Sequence, residues 1–269
     1  MKVVEIILNQ VLEQLEKGII PWVSPYRKNH LPQNYNGYLY QGMNILFLSL
    51  NNYKVQKYLT FKQINDLNGS IVKGEKSHKV YAWFFQKNNS SDNQEENKEE
   101  NHHLTLKYYN VWNIEQTTLF TEEFKSKHLL EIIDNELVEK FINNFKDCKI
   151  NHSNIGVASY NKIEHSISMP FKENFTSMDN YYSSLFHEMI HSTMNELRPD
   201  TKDNYAFEEL VAEIGANILC QNFGILNSIE NSASYCSNWI KYLKENKSIT
   251  IVKASNLAMK AVESLLKLK

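Results

Sequence analysis

Cysteine is scarce in this chain. Cys148, Cys220 and Cys236 are far apart, odd in number and in no Cys-x-x-Cys arrangement, which excludes a disulfide framework and a cysteine zinc cluster. A reducing cytoplasm is the simplest compartment. No hydrophobic run approaches a membrane-spanning length, so no membrane partner is expected. The N-terminal stretch "MKVVEIILNQVLEQLEKG" sets Glu5, Glu13 and Glu16 inside its apolar pattern, which suits an amphipathic helix and breaks the h-region of a signal peptide. A formal net charge of −2 gives no global pull toward nucleic acid, although a near-zero total can hide opposite local patches. Helix-turn-helix and zinc-finger patterns are missing, and "GSIVKGEKSHKV" lacks the spacing of a phosphate-cradling loop, which argues against nucleotide hydrolysis.

What is present is enough apolar residue, 42% of 269, for two domains with real cores. Beyond the first helix, Gly18 and Pro21 stop the pattern and an irregular aromatic platform follows, "PWVSPYRKNHLPQNYNGYLYQGMN". "QGMNILFLSLNNY" predicts a helix and "YLTFKQINDLNG" a strand running into a short helix. "SHKVYAWFFQ" predicts a strand whose partner is "LTLKYYNVWNI". Between these two lies a polar tract at about 88–103, read as a flexible acidic hairpin insertion, and its His102 and His103 as solvated loop histidines. "TEEFKSKHLLEIIDNELVEKFINNFKDC" is read as helical and carries the chain into a second domain, giving divisions of 1–128 and 129–269. "NIGVASYNKIEHSISMP" is a two-strand candidate, and from there to the C-terminus only helices are expected.

The stretch "YYSSLFHEMIHSTMNEL", from Tyr181, contains His-Glu-x-x-His. Residues four apart share a helix face, so His187 and His191 can address one metal ion, while Glu188, about 100° around the axis, is left free to act as a general base. A zinc site needs a further ligand. In the next helix, "YAFEELVAEIGANILCQNFG", the stripe Phe207, Leu210, Val211, Ile214 and Ile218 should face the core. Glu209 and Glu213 lie on another side with Ala216 and Cys220, and buried carboxylates need a cation or hydrogen-bond partners. Glu209 is assigned as third metal ligand and Glu213 as the carboxylate orienting a histidine; Glu208 or Glu213 as the ligand stays open. Zn2+ is expected from the ligand types, and Mn2+ also fits a His-His-Glu set. By analogy with zincin folds, in which an edge strand beside the metal cleft takes an extended peptide, "HSISMP" is placed to serve as that strand.

From Arg27 to Lys87 nine Lys/Arg face two acids, Asp66 and Glu75, and tyrosines, phenylalanines and Trp83 are interleaved. Cations that follow phosphates and aromatic faces that stack bases are what sequence-tolerant single-strand binding requires.

Taken in order, these motifs resemble the ArdC-type antirestriction proteins of conjugative plasmids and related mobile elements, over nearly the whole length. The matching pieces are "GIIPWVSPY", "PQNYNGYLYQGMN", "YLTFKQINDLNGSIVKGEKSHKVYAWFF" and "YYNVWNIEQT", then "YYSSLFHEMIH", "YAFEELVAEIGANILCQNFGI", "SYCSNWIKYLK" and "KASNLAMKAVESLL". The resemblance implies an α+β chain with a small mixed α/β domain binding single-stranded DNA, followed by a mostly helical zincin-like metallopeptidase domain with a small sheet. It implies protection of incoming DNA from restriction. By position, the metal set is His187, His191 and the Glu209 region with Glu188 as general base, and Trp22, Tyr40, Asn44, Lys62, Lys73 and Lys76 fall in motifs of the DNA-binding half. The family commonly has an aromatic residue and a Gly-His pair soon after the second histidine, where this chain reads "STMNELRPDTKDN". The leading expectation is a DNA-binding zinc metallopeptidase acting on a protein met on DNA. The alternatives are a protection protein with a proteolytically silent metal site and a regulatory peptidase cleaving a repressor.

Overall fold

The computed structural model describes residues 2–23, 31–49, 51, 53–86, 103–124, 135–154, 156–199, 204–227, 232–246 and 249–267. Most of the acidic tract, with His102, and the 128/129 division lie outside them.

The chain is α+β. After helix α1 (Lys2–Glu16), the N-terminal half holds a sheet in the order β1-β2-β4-β3, built from β1 (Gln33–Asn34), β2 (Lys57–Thr60), β3 (His78–Gln86) and β4 (His103–Asn113). The long β3–β4 pair is antiparallel from His78↔Val111 to Gln86↔His103, as the two β-branched and aromatic runs predict. Helix α2 (Met43–Ser49) lies between β1 and β2 in the chain, and α3 (Phe61–Asp66) follows β2 directly. Thr60 ends the strand and starts this helix through a capping box with Gln63, which makes the strand-to-helix change local in origin. Leu48 of α2 packs with Tyr58, Val80 and Val111 on one face of the sheet. Ile64 of α3 packs with Leu59 and Ile114 on the other.

The second half opens with α4 (Asn135–Asn144) and a sheet ordered β5-β7-β6, from β5 (Lys149–Ser153), β6 (Ser159–Asn161) and β7 (Ser166–Pro170). β5 is parallel to β7 and β6 antiparallel to it. This corrects the placing of "HSISMP" at an edge. β7 is bonded on both sides, so its backbone is spent within the sheet, and the edge beside the helices is β6. Helices α5 (Met178–Ser192), α6 (Tyr205–Asn222), α7 (Ser232–Glu245) and α8 (Ile249–Leu266) follow, with one helical turn at Met194–Leu197. Ser177 caps α5 at the Asn180 amide, and Asn204 caps α6 at the Phe207 amide.

One apolar core joins the two halves. Val11, Leu15, Trp22, Ile45 and Leu46 share it with Phe186, Ile190, Val211, Ile214 and Val262. Trp22 meets Trp239 of α7 edge-on at 5.2 Å between ring centroids. Within this core α5 and α6 approach closely at Gly215, where an added Cβ would lie 2.8 Å from the Ile190 side chain. That approach brings the histidine face of one helix onto the glutamate face of the other.

Candidate metal centre and nucleic-acid interface

The imidazoles of His187 and His191 project from successive turns of α5, their Nε2 atoms 3.1 Å apart. Glu209 of α6 reaches both: its carboxylate oxygens lie 3.5 Å from His187 Nε2 and 3.3 Å from His191 Nε2. Among the described residues these three form a His/Glu group that could hold a metal ion, with ligand atoms all within 4.8 Å of one another. The other ring nitrogens are also engaged. His187 Nδ1 lies 3.3 Å from Glu213, and His191 Nδ1 lies 3.4 Å from Glu208. A carboxylate behind each imidazole engages Nδ1 and leaves both Nε2 atoms facing inward, where they meet Glu209 and could ligate a metal ion once deprotonated.

Three glutamates within six residues are sorted by an arginine that sequence reasoning missed. Arg198 is 2% exposed, and its Nε donates to Glu208 Oε2 at 3.0 Å while the Nη2 amine bonds Glu208 Oε1. Nη1 donates to Thr193 Oγ1 at 2.7 Å and Nη2 to the Ile190 carbonyl at 2.9 Å. With its charge taken up by this planar fork, Glu208 stands behind His191, and Glu209 is the carboxylate that meets both Nε2 atoms. A signal was available: only two of the 29 Lys/Arg residues are arginine, Arg27 and Arg198, and Arg198 stands in the connection that departs from the family pattern.

Electrostatics follow the geometry. Burial alone would lower the pKa of His187, but hydrogen bonds to Glu209 and Glu213 outweigh it and carry it from 6.5 up to about 10. Burial raises the Glu209 carboxyl, yet its two imidazole partners win and hold it well below the carboxylate range. Glu188 differs. It is 7% exposed and contributes no atom to the cluster, and burial outweighs the nearby imidazoles to raise its pKa.

These directions carry a pH prediction. The raised His187 pKa adds stability to the metal-free protein below pH 6.5, and this is lost as pH climbs toward about 10. Metal binding needs neutral imidazoles, so it strengthens over the same window. The difference in melting temperature between metal-loaded and chelator-treated protein should therefore widen from pH 6.5 to 9.5 in differential scanning fluorimetry. A constant difference would mean that His187 is already neutral without metal.

The N-terminal candidates divide. Trp22 is 1% exposed, so its ring faces belong to the core and are not open to a base, a correction to its place in a DNA-facing set. Asn44 is half-buried and tied to a neighbouring backbone. Its amide donates to the Tyr81 carbonyl at 2.8 Å and accepts from the Tyr81 N–H at 2.7 Å, which satisfies edge strand β3. Tyr40 is half-buried with its ring edge-on to Tyr58 at 6.2 Å. Lys62, Lys73 and Lys76 are exposed. Phe61, one of the aromatics interleaved with the basic residues, is 55% exposed against Trp112, and Tyr108, which the sequence reading did not single out, is 51% exposed with Lys79 Nζ 4.7 Å over its ring. Alternation along β4 puts Tyr108 and Trp112 on one face, the signal that would have found them.

Two family models match the chain in tandem: "N-terminal domain of anti-restriction factor ArdC" at residues 1–112 and "Zincin-like metallopeptidase" at residues 136–257. The chain joins an ArdC-type N-terminal domain to a zincin-like metallopeptidase domain. Two crystal structures of the antirestriction protein ArdC from plasmid R388 superpose on it, each covering 100% of this chain and 98% of that one. The metal-free form is 29% identical with a TM-score of 0.82, and the Mn(II)-bound form 27% identical with a TM-score of 0.77. A protein named DNA primase TraC from Escherichia coli is 26% identical over 267 residues, 90% of this chain and 25% of that protein. The chain thus spans about a quarter of that relative's length. A protein of Sinorhizobium fredii, y4eC, is 24% identical over 271 residues, covering 93% of this chain and 87% of its own. Among the described residues no helix is long and apolar enough to cross a membrane.

Proposed function

We propose that this protein binds single-stranded DNA through its N-terminal half, protects incoming DNA from restriction in the cytoplasm, and hydrolyses a peptide bond of a DNA-associated protein at the His187–His191–Glu209 centre. One observation carries the enzymatic part: two imidazoles and one carboxylate converge within 4.8 Å, while the buried Glu188 beside them is not used as a ligand. That donor set suits Zn2+ and also Mn2+. When bound, the cation supplies Lewis acidity. The protein does the rest. Glu208 and Glu213 orient the two imidazoles. Glu188, its pKa raised by burial, is poised to take a proton from the attacking water and return it to the leaving amine. The edge strand β6 offers an extended peptide a backbone to pair with.

For the DNA-binding part, exposed Lys62, Lys73, Lys76 and Lys79 supply phosphate contacts, and Phe61 and Tyr108 supply stacking faces. The test is a gel shift with a fluorescent single-stranded oligonucleotide, duplex of equal length as competitor, and metal content measured in parallel. Single-strand-selective binding with about one metal per chain is expected. Binding that the duplex removes equally well would end the single-strand reading. Replacing Lys62, Lys73 and Lys76 together with alanine should weaken binding and flatten the slope of log K against log salt by about 2. An unchanged slope would place the phosphate contacts elsewhere.

A further inference from the structure

Glu209 has two neighbourhoods. Its carboxylate meets the imidazoles, and the same residue lines a pocket of ≈ 280 Å³ between the first turns of α6 and the C-terminal half of α7. We propose that this pocket takes the large apolar side chain, aromatic by preference, of a peptide whose adjacent amide lies at the His187–His191–Glu209 centre. The proposal rests on the metallopeptidase reading above and names the residue preference of that site.

The walls are built and held. Trp239 is 2% exposed and braced edge-on by Trp22. Tyr242 packs near Phe207 at 6.4 Å, and its hydroxyl accepts from Asn204 Nδ2 at 2.7 Å. Ring surfaces fixed in this way favour an aromatic guest, which gains edge-to-face contacts beyond its apolar burial. Tyr205, 73% exposed, adds a third ring. Of the charged lining residues, Lys241 and Glu245 are opposite in sign and one helical turn apart on α7, and Glu209 has its carboxylate against the two imidazoles, so no uncompensated charge is offered to a charged side chain. A volume of ≈ 280 Å³ lies at the lower limit for a whole small-molecule ligand and suits one large side chain. Continuity decides the occupant: a group seated here is one side chain, Glu209, away from the reacting centre.

The test uses zinc-loaded full-length protein and a series of peptide hydroxamates, identical except for the residue next to the hydroxamate: glycine, alanine, leucine, phenylalanine, aspartate or lysine. Dissociation constants are measured by calorimetry for wild type and for Ala206→Phe, which fills the pocket from α6. Asn238→Trp fills it from α7 and serves if the first variant folds poorly. Wild type should bind the phenylalanine compound roughly ten- to a hundredfold more tightly than the glycine compound, with aspartate and lysine no better than glycine. The filled variants should keep glycine affinity and lose the phenylalanine gain. Equal affinity for glycine and phenylalanine in wild type would overturn the pocket and leave the metal centre standing. Failure of every hydroxamate on protein shown to carry zinc would overturn the metallopeptidase reading, and the pocket with it.

Discussion

Glu188→Gln is expected to keep about one metal per chain while lowering peptide hydrolysis by roughly two to four orders of magnitude, the usual contribution of a positioned general base. The two halves of this result have separate causes. Metal content is preserved because the converging ligand atoms come from His187, His191 and Glu209, and glutamine fills the space of glutamate. Hydrolysis falls because an amide cannot take the proton. The environment is tuned to that task, since burial lifts the Glu188 pKa. Metal analysis of purified protein, with single-turnover cleavage of a fluorogenic peptide, reads both halves. A variant as active as wild type would remove Glu188 from the chemistry. Metal lost together with activity would make it a ligand.

Arg198→Met carries the second large effect. The guanidinium is buried and bonds Glu208 through two nitrogens, so its removal leaves a carboxylate in the core with no full counter-charge. Breaking such a pair from one side costs about 3–5 kcal/mol, which lowers the melting temperature by on the order of 10 °C in a chain of this size. Metal affinity should fall as well, by about ten- to a hundredfold, because Glu208 no longer holds His191 in one orientation. The double variant Arg198→Met with Glu208→Gln separates the causes. With neither charge of the pair left, it should melt above the single variant yet bind metal no better. Scanning fluorimetry and competition against a chelator of known affinity give the two readouts. A single variant that melts within a degree or two of wild type would contradict this account of the pair. The depressed Glu208 pKa, where burial is outweighed by Arg198, adds that this contribution is present above the ordinary carboxylate range and is lost as pH falls through the folded value.

What the sequence determined by itself was whatever depends on neighbours along the chain. The four-residue spacing of His187 and His191 puts them on one helix face in any fold, and the 3.6-residue period of α6 separates Leu210, Val211 and Ile214 from the glutamate side. β3 and β4 were legible as β-branched and aromatic runs, and α3 through the Thr60 cap. Tertiary structure decided what depends on residues far apart. Composition alone cannot separate a stacking tryptophan from a core one, and only the packing of Trp22 on Trp239 makes it core. Only the approach of β3 to α2 shows that the Asn44 amide bonds the Tyr81 backbone. The central place of β7 follows from parallel pairing with β5, which no alternation pattern encodes. Glu208, Glu209 and Glu213 are one residue type within six positions, and nothing local tells them apart. Their separation comes from Arg198, which takes Glu208 by a bidentate bond across two elements and leaves Glu209 facing both imidazoles.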